Sequence, residues 1–150
     1  MRPARRIVAL APHVVENVFS AGAGKLLVGV SDYSNFPEEA LSLPIVGGFS
    51  KVNIEAIVDL DPDLIIAWDS GNSRSALDRL KTLGFPVYLD QPKTMLDVAQ
   101  TLRNIGKLAG TSEVAESAAD LFEQQLDDVR QRYASRTTVS VFYQVWNSPL

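Results

Sequence analysis

The sequence predicts an α/β lobe built around a parallel sheet of four or five strands, and three observations predict it. Short apolar runs of strand length alternate with segments whose apolar residues recur every three or four positions. The run Leu64-Ile-Ile-Ala67 is apolar without alternation, the pattern of a strand covered on both faces. Gly and Pro fall between these segments, where strands and helices must be joined. At 150 residues and 46% hydrophobic content, the chain has enough apolar surface for one ordinary core.

Taken in order, Ile7 to Ala11 reads as a strand, and Val14 to Ala21 as a helix stopped by Gly22 and Gly24. Leu26 to Val30 is a second strand, followed by a loop from Ser31 to Pro44 and a turn at Gly47-Gly48. Asn53 suits a helix N-cap, with Ile54, Ile57 and Val58 facing inward and Glu55 and Asp59 outward. Asp61-Pro62 ends that helix and launches the buried strand Asp63 to Trp68. Ser73 to Leu83 is helical, with Ala76, Leu77, Leu80 and Leu83 inward, and Val87 to Leu89 is the next strand.

Thr94-Met-Leu-Asp97 has the form of a capping box with Asp for the usual Glu or Gln, opening a helix that Gly110 closes. From Ser112 to Ser135, Val114, Ala118, Phe122, Leu126, Val129 and Tyr133 define one stripe of a single long helix, roughly 36 Å at ~1.5 Å per residue. Val139 to Trp146 reads as a further strand, after which the chain looks cut in mid-protein. The expected division is a lobe over 1–110, a connecting helix over 111–136, and the first strand of another lobe over 137–150.

Composition narrows the function. A net charge of −4 with mixed signs offers no positive stripe for nucleic acid. The absence of cysteine removes disulfides, thiolate nucleophiles and cysteine-ligated metals. No apolar run approaches the ~20 residues of a membrane span, and no export signal is visible. With one histidine and no recognisable Ser, His and Asp spacing, nothing supports catalysis. A Rossmann-like enzyme or nucleotide-binding module is disfavoured, because Gly22-Ala-Gly24-Lys25 follows a helix and matches neither phosphate-loop pattern.

In an open parallel sheet, ligands bind beyond the carboxyl ends of the strands. Pro12 and His13 follow the first strand, Asp32 and Tyr33 the second, Phe49 the Gly47-Gly48 turn, and Trp68 to Asn72 the central strand. Three aromatics and one imidazole on a rigid rim suit a large, flat, partly apolar ligand. Taken singly, Trp68 and Phe49 read equally well as core residues, and His13 as a local helix cap. Asp32, Asp69 and Asp90 also fall at strand ends, where turns and helix starts use carboxylates.

The stretches Leu10-Ala-Pro-His13, Val28-Gly-Val30, Ser31-Asp-Tyr33-Ser-Asn-Phe-Pro37, Asn53-Ile-Glu55 and Leu60-Asp-Pro-Asp-Leu-Ile-Ile-Ala-Trp68 together resemble the periplasmic vitamin B12-binding proteins of ABC importers. The wider group also carries haem and ferric siderophores. Tyr33 and Ala67-Trp-x-x-Gly-Asn72 point to the corrinoid branch. The resemblance implies two α/β lobes joined by a long helix, and a monomer that captures a cobalamin-like corrinoid outside the cytoplasm without turnover or a catalytic cofactor. It implies cargo contacts from Tyr33, Phe49, in place of a familiar tryptophan, and Trp68, with Pro12, His13, Gly71 and Asn72 at the same rim. It further implies that Glu55 pairs with an arginine of an inner-membrane permease.

Overall fold

A computed structural model of the chain describes residues 2–48 and 51–144. Strands β1 (Ile7–Ala9), β2 (Leu27–Val30), β3 (Leu64–Trp68) and β4 (Val87–Asp90) form one parallel sheet in the order β2-β1-β3-β4. Helices are α1 (Pro12–Ser20), α2 (Ile54–Leu60), α3 (Arg74–Thr82), α4 (Met95–Ala109) and α5 (Ser112–Tyr133). The loop after β2 carries a short 3-10 turn over Glu38–Ser42.

Alternation along the strands makes two cores. Ile7, Ala9, Leu64 and Ile66 face a cluster that includes Val14, Val15 and Val18 of α1, Leu102 and Ile105 of α4, and Ala115 and Ala119 of α5. Val8, Leu10, Ile65 and Ala67 face the other cluster, with Ile57 of α2 and Leu77 and Leu80 of α3. The central strands β1 and β3 are therefore apolar on both faces, which is why their sequences read as continuous runs. Gly29 permits α2 to lie close to the sheet, since a Cβ there would come 2.7 Å from Leu60 Cδ1.

Local signals place the helix ends. The Asn53 side chain accepts the Ala56 amide at 3.1 Å, and Asp61 closes α2 in the left-handed region at φ 43°. The box at α4 is complete: Asp97 N donates to Thr94 Oγ1 and Thr94 N to Asp97 Oδ2, at 3.3 and 2.8 Å. The Lys93 and Thr94 amides, both donating to Asp97 Oδ2, hold the Asp97 carboxyl below its ordinary pKa. Gly110, at φ 76°, ends α4, and Gly22, at φ 77°, follows the end of α1. Gly22 thus serves as the helix stop its context predicts.

Several expectations need correction. Helix α1 begins at Pro12 and not Val14, because Pro is well suited to a first helical position. Val58 and Leu83, expected inward, are exposed, and Ala76 is half-buried. The buried line of α5 is Ala115 and Ala119, flanked by half-buried Ala118 and Phe122, whereas Val114, Val129 and Tyr133 are exposed. The cause is a close approach of α4, where any Cβ at Gly106 would overlap that of Ala115. Small residues must occupy such a line, so the contact face is turned by one position from the stripe of larger side chains.

Arg103 of α4 fastens this contact. Its guanidinium reaches Glu116, Asp120 and Glu123 at 2.7, 2.7 and 2.8 Å, three carboxylates on successive turns of α5. These hydrogen bonds keep Arg103 firmly protonated and lower the Glu123 pKa. Beyond Leu126 the helix is exposed on all sides. The strand expected over Val139 to Trp146 does not form within its described part: residues 137–144 have no regular structure, and Val139, Val141, Phe142 and Tyr143 are exposed. A strand exists through pairing, and no described strand runs beside this segment. Residues 145–146 lie outside the described residues.

Replacing Gly106 with valine should force α4 and α5 apart. Overpacking of this kind costs about 1–3 kcal/mol. Thermal denaturation should therefore fall by several degrees, and an unchanged midpoint would show that the helices do not meet here.

Candidate functional site

All four strands run in one direction, so their carboxyl ends share one edge of the lobe. From β1 the chain moves to β2 on one side and reaches β3 on the other. That reversal opens a crevice between the ends of β1 and β3, the position where such sheets bind ligands. Pro12 and His13 stand on one side of it and Trp68 to Asn72 on the other.

Asn72 ties the two sides together. Its Nδ2 donates to the Leu10 carbonyl at 2.9 Å, and its Oδ1 accepts the Trp68 amide at 2.7 Å. The side chain is buried, so both ends of the amide replace backbone partners that the diverging strands no longer supply. The Asn72 side chain fixes the main chain of the residue that carries the indole.

The Trp68 indole folds back over Gly71, where any Cβ would overlap the ring at Cε3. The His13 imidazole also meets it edge to face, with centroids 5.3 Å apart and planes at 89°. Trp68 is half-buried and also rests on the α1 and α4 side of the core. It is neither a free surface ring nor a fully internal one. Its inner edge is held by packing, and its remaining surface stays accessible.

His13 occupies the second position of α1, half-buried, with Nε2 sealed from solvent. It therefore joins the rim through the ring contact with Trp68, and Nε2 is not presented outward as a ligating atom. Burial holds the imidazole pKa below its ordinary value, against the opposing attraction of Asp90 and Glu16. Among the described residues, no group of three or more His, Cys, Asp or Glu is placed to hold a metal ion.

Tyr33 stands beyond β2 on the same edge, 84% exposed and at φ 63° in the left-handed region. Beneath it, Ser31 and Ser34 are buried and hydrogen-bonded to each other at 3.1 Å. Phe49, the third expected aromatic, lies outside the described residues. An open cavity of about 540 Å³ is lined by Asp32, Gly47, Gly48, Lys51, Asn53 and Glu55 among others. Glu55 is exposed on the first turn of α2 and makes no hydrogen bond or ion pair among the described residues.

Two features escape sequence reasoning. Asp90 looks like a turn carboxylate but is buried, accepting the Thr101 hydroxyl at 2.6 Å. The available signal is Thr101 itself, a polar residue one position from the inward Leu102 of α4. Gln91 links the ends of β3 and β4 by accepting the Ser70 amide at 3.0 Å. Nothing in its local sequence marks that contact.

Residues 7–148 match the periplasmic binding protein family. The chain is 43% identical over 148 residues to the vitamin B12-binding protein of Vibrio cholerae serotype O1, covering 99% of this chain and 54% of that protein. It is 37% identical over 147 residues to the vitamin B12-binding protein of Yersinia pestis, covering 98% and 52% respectively. The crystal structure of the periplasmic vitamin B12 binding protein of Vibrio cholerae superposes with a TM-score of 0.85 at 44% identity, over 89% of this chain and 52% of that one. A periplasmic heme binding protein from Pseudomonas aeruginosa superposes with a TM-score of 0.81 at 26% identity, over 88% and 48%. The chain spans about half the length of the curated relatives it matches.

Gly71→Ala should displace the indole without unfolding the lobe. In a Trp146→Phe background, which leaves Trp68 as the sole tryptophan, its emission maximum should shift while far-UV circular dichroism is retained. An unmoved emission spectrum would mean that the ring does not depend on the bare backbone at Gly71.

Proposed function

The chain belongs to the periplasmic binding protein family, and on that premise we propose that it forms one cargo-binding lobe of an extracytoplasmic protein that delivers a cobalamin-like corrinoid to an ABC permease. The observation that carries this reading is the Trp68 indole, packed over Gly71 and against the His13 ring at the reversal point of the sheet. A fixed aromatic plane buries large apolar area at small entropic cost, which suits a broad macrocycle with an apolar face. The vitamin B12-binding relatives from Vibrio cholerae and Yersinia pestis support a corrinoid over other flat cargoes.

In this reading residues 1–110 are the lobe and the helix of 111–136 leads toward a second lobe, of which 137–150 is the start. Tyr33, Phe49 and Trp68 meet the corrin, Pro12 and His13 complete the same rim, and Gly71 and Asn72 set the pose of Trp68. The protein acts as a monomer by capture and release, without turnover or a resident cofactor. Haem is the second reading, supported by the likeness to the Pseudomonas aeruginosa heme binding protein. Glu55 faces solvent near the cargo edge, where an arginine of the permease can reach it without disturbing the indole.

Calorimetry on the two-lobe protein with cyanocobalamin, haemin and a ferric siderophore separates the cargoes. Tight haemin binding with silence toward cobalamin would replace the corrinoid assignment. Trp68→Ala should weaken cargo binding roughly 30-fold or more, as for a buried aromatic anchor worth ~2 kcal/mol. Unchanged affinity would return Trp68 to the core. Glu55→Lys should impair permease docking while sparing cargo affinity, and loss of both would overturn its assignment as a docking residue.

A further inference from the structure

Two buried polar atoms beside the rim have no hydrogen-bond partner among the described residues: His13 Nε2 and Asp90 Oδ2. Such orphans are rare in folded proteins, because each gives up hydration without replacement. Both belong to groups that surround Trp68. Asp90 is the ladder neighbour of Trp68 across β3 and β4, and its backbone carbonyl accepts the Asp69 amide at 3.0 Å. It is 3% exposed, and its Oδ1 is fixed by the Thr101 hydroxyl. His13 contacts the indole from α1.

The charged groups acting on His13 are Asp90 from β4 and Glu16 from its own helix. Helix α4 contributes the uncharged Thr101 hydroxyl to Asp90, and β3 contributes the indole. Asp90 thus attracts the imidazole, yet its side chain is placed by α4 and β4, elements separate from the one that carries His13. It is suited to act as an external brace.

We propose that Asp90 is a positioning residue for Trp68: one water joins its Oδ2 to His13 Nε2, and this link holds the imidazole edge against the indole. A water can donate one proton to the carboxylate and the other to an unprotonated ring nitrogen, satisfying both orphans. Protonation turns Nε2 into a donor and reverses the polarity of the link. The pose of Trp68 is then coupled to the charge of His13. Its importance for cargo rests on the function proposed above, whereas the link does not.

His13 is the only histidine, so its imidazole resonances can be followed with pH without overlap, and Trp146→Phe leaves Trp68 as the only indole. In the Trp146→Phe protein, Trp68 emission should change at the same midpoint as the His13 resonance. Asp90→Asn removes an attraction that favours the charged imidazole, so both midpoints should move together to lower pH. Emission that stays flat through the His13 titration, or a His13 midpoint that Asp90→Asn leaves in place, would overturn the proposal. Should Asp90→Asn fail to fold, Thr101→Val, which removes the hydroxyl that fixes Asp90 Oδ1, should move both midpoints together, and midpoints that stay in place would overturn the proposal. Asp90→Asn should also weaken cyanocobalamin binding to the two-lobe protein about tenfold. Absence of cobalamin binding to the unaltered protein would instead overturn the cargo assignment and leave the paired titrations as the measure of the brace.

Discussion

The rim depends on the Asn72 amide spanning the ends of β1 and β3. Parallel strands part where the direction of connection reverses, and their terminal backbone groups lose the partners that a continued ladder would give. A single side chain with one donor end and one acceptor end repairs both losses. Because one of its bonds is to the Trp68 amide, the repair also fixes the residue on which the indole is mounted. Gly71 then admits the ring and the His13 imidazole packs against it.

The position of this arrangement follows from the layers beneath it. Side chains from β1 and β3 enter both cores, so neither strand can shift without disturbing helices on both faces. A crevice between two such strands inherits their rigidity. Tyr33 is supported differently, on a loop beyond the edge strand β2, with a buried serine pair as its local anchor. The two aromatics therefore differ in freedom: Trp68 is braced on several sides, while Tyr33 is almost wholly exposed.

The parts of the fold that obey local rules were legible in the sequence. Asn53, the Thr94 and Asp97 pair, and Gly110 mark helix ends through chemistry contained within a few residues. The apolar run of β3 records its burial on both faces. Long-range contacts left no such record. The grip of Arg103 on Glu116, Asp120 and Glu123 depends on how α4 and α5 cross, and the buried line on α5 follows from an absent side chain at Gly106. At the site, the placement of His13, Tyr33 and Trp68 at or just beyond strand ends was legible from the apolar runs that precede them. The tie that Asn72 makes to Leu10 and Trp68, and the engagement of Asp90 with Thr101, required knowing which residues meet across the sheet.

The attachment of α5 gives it the mechanics of a cantilever. Its root is clamped by the alanine line and the Arg103 cluster, and the span from about Asp127 to Tyr133 is exposed on all sides. That span is roughly 10 Å, so a tilt of about 5° at the root displaces the free end by about 1 Å. Stiffness at the clamp, and not along the beam, therefore sets how faithfully anything fastened at the far end keeps its distance from the Trp68 crevice.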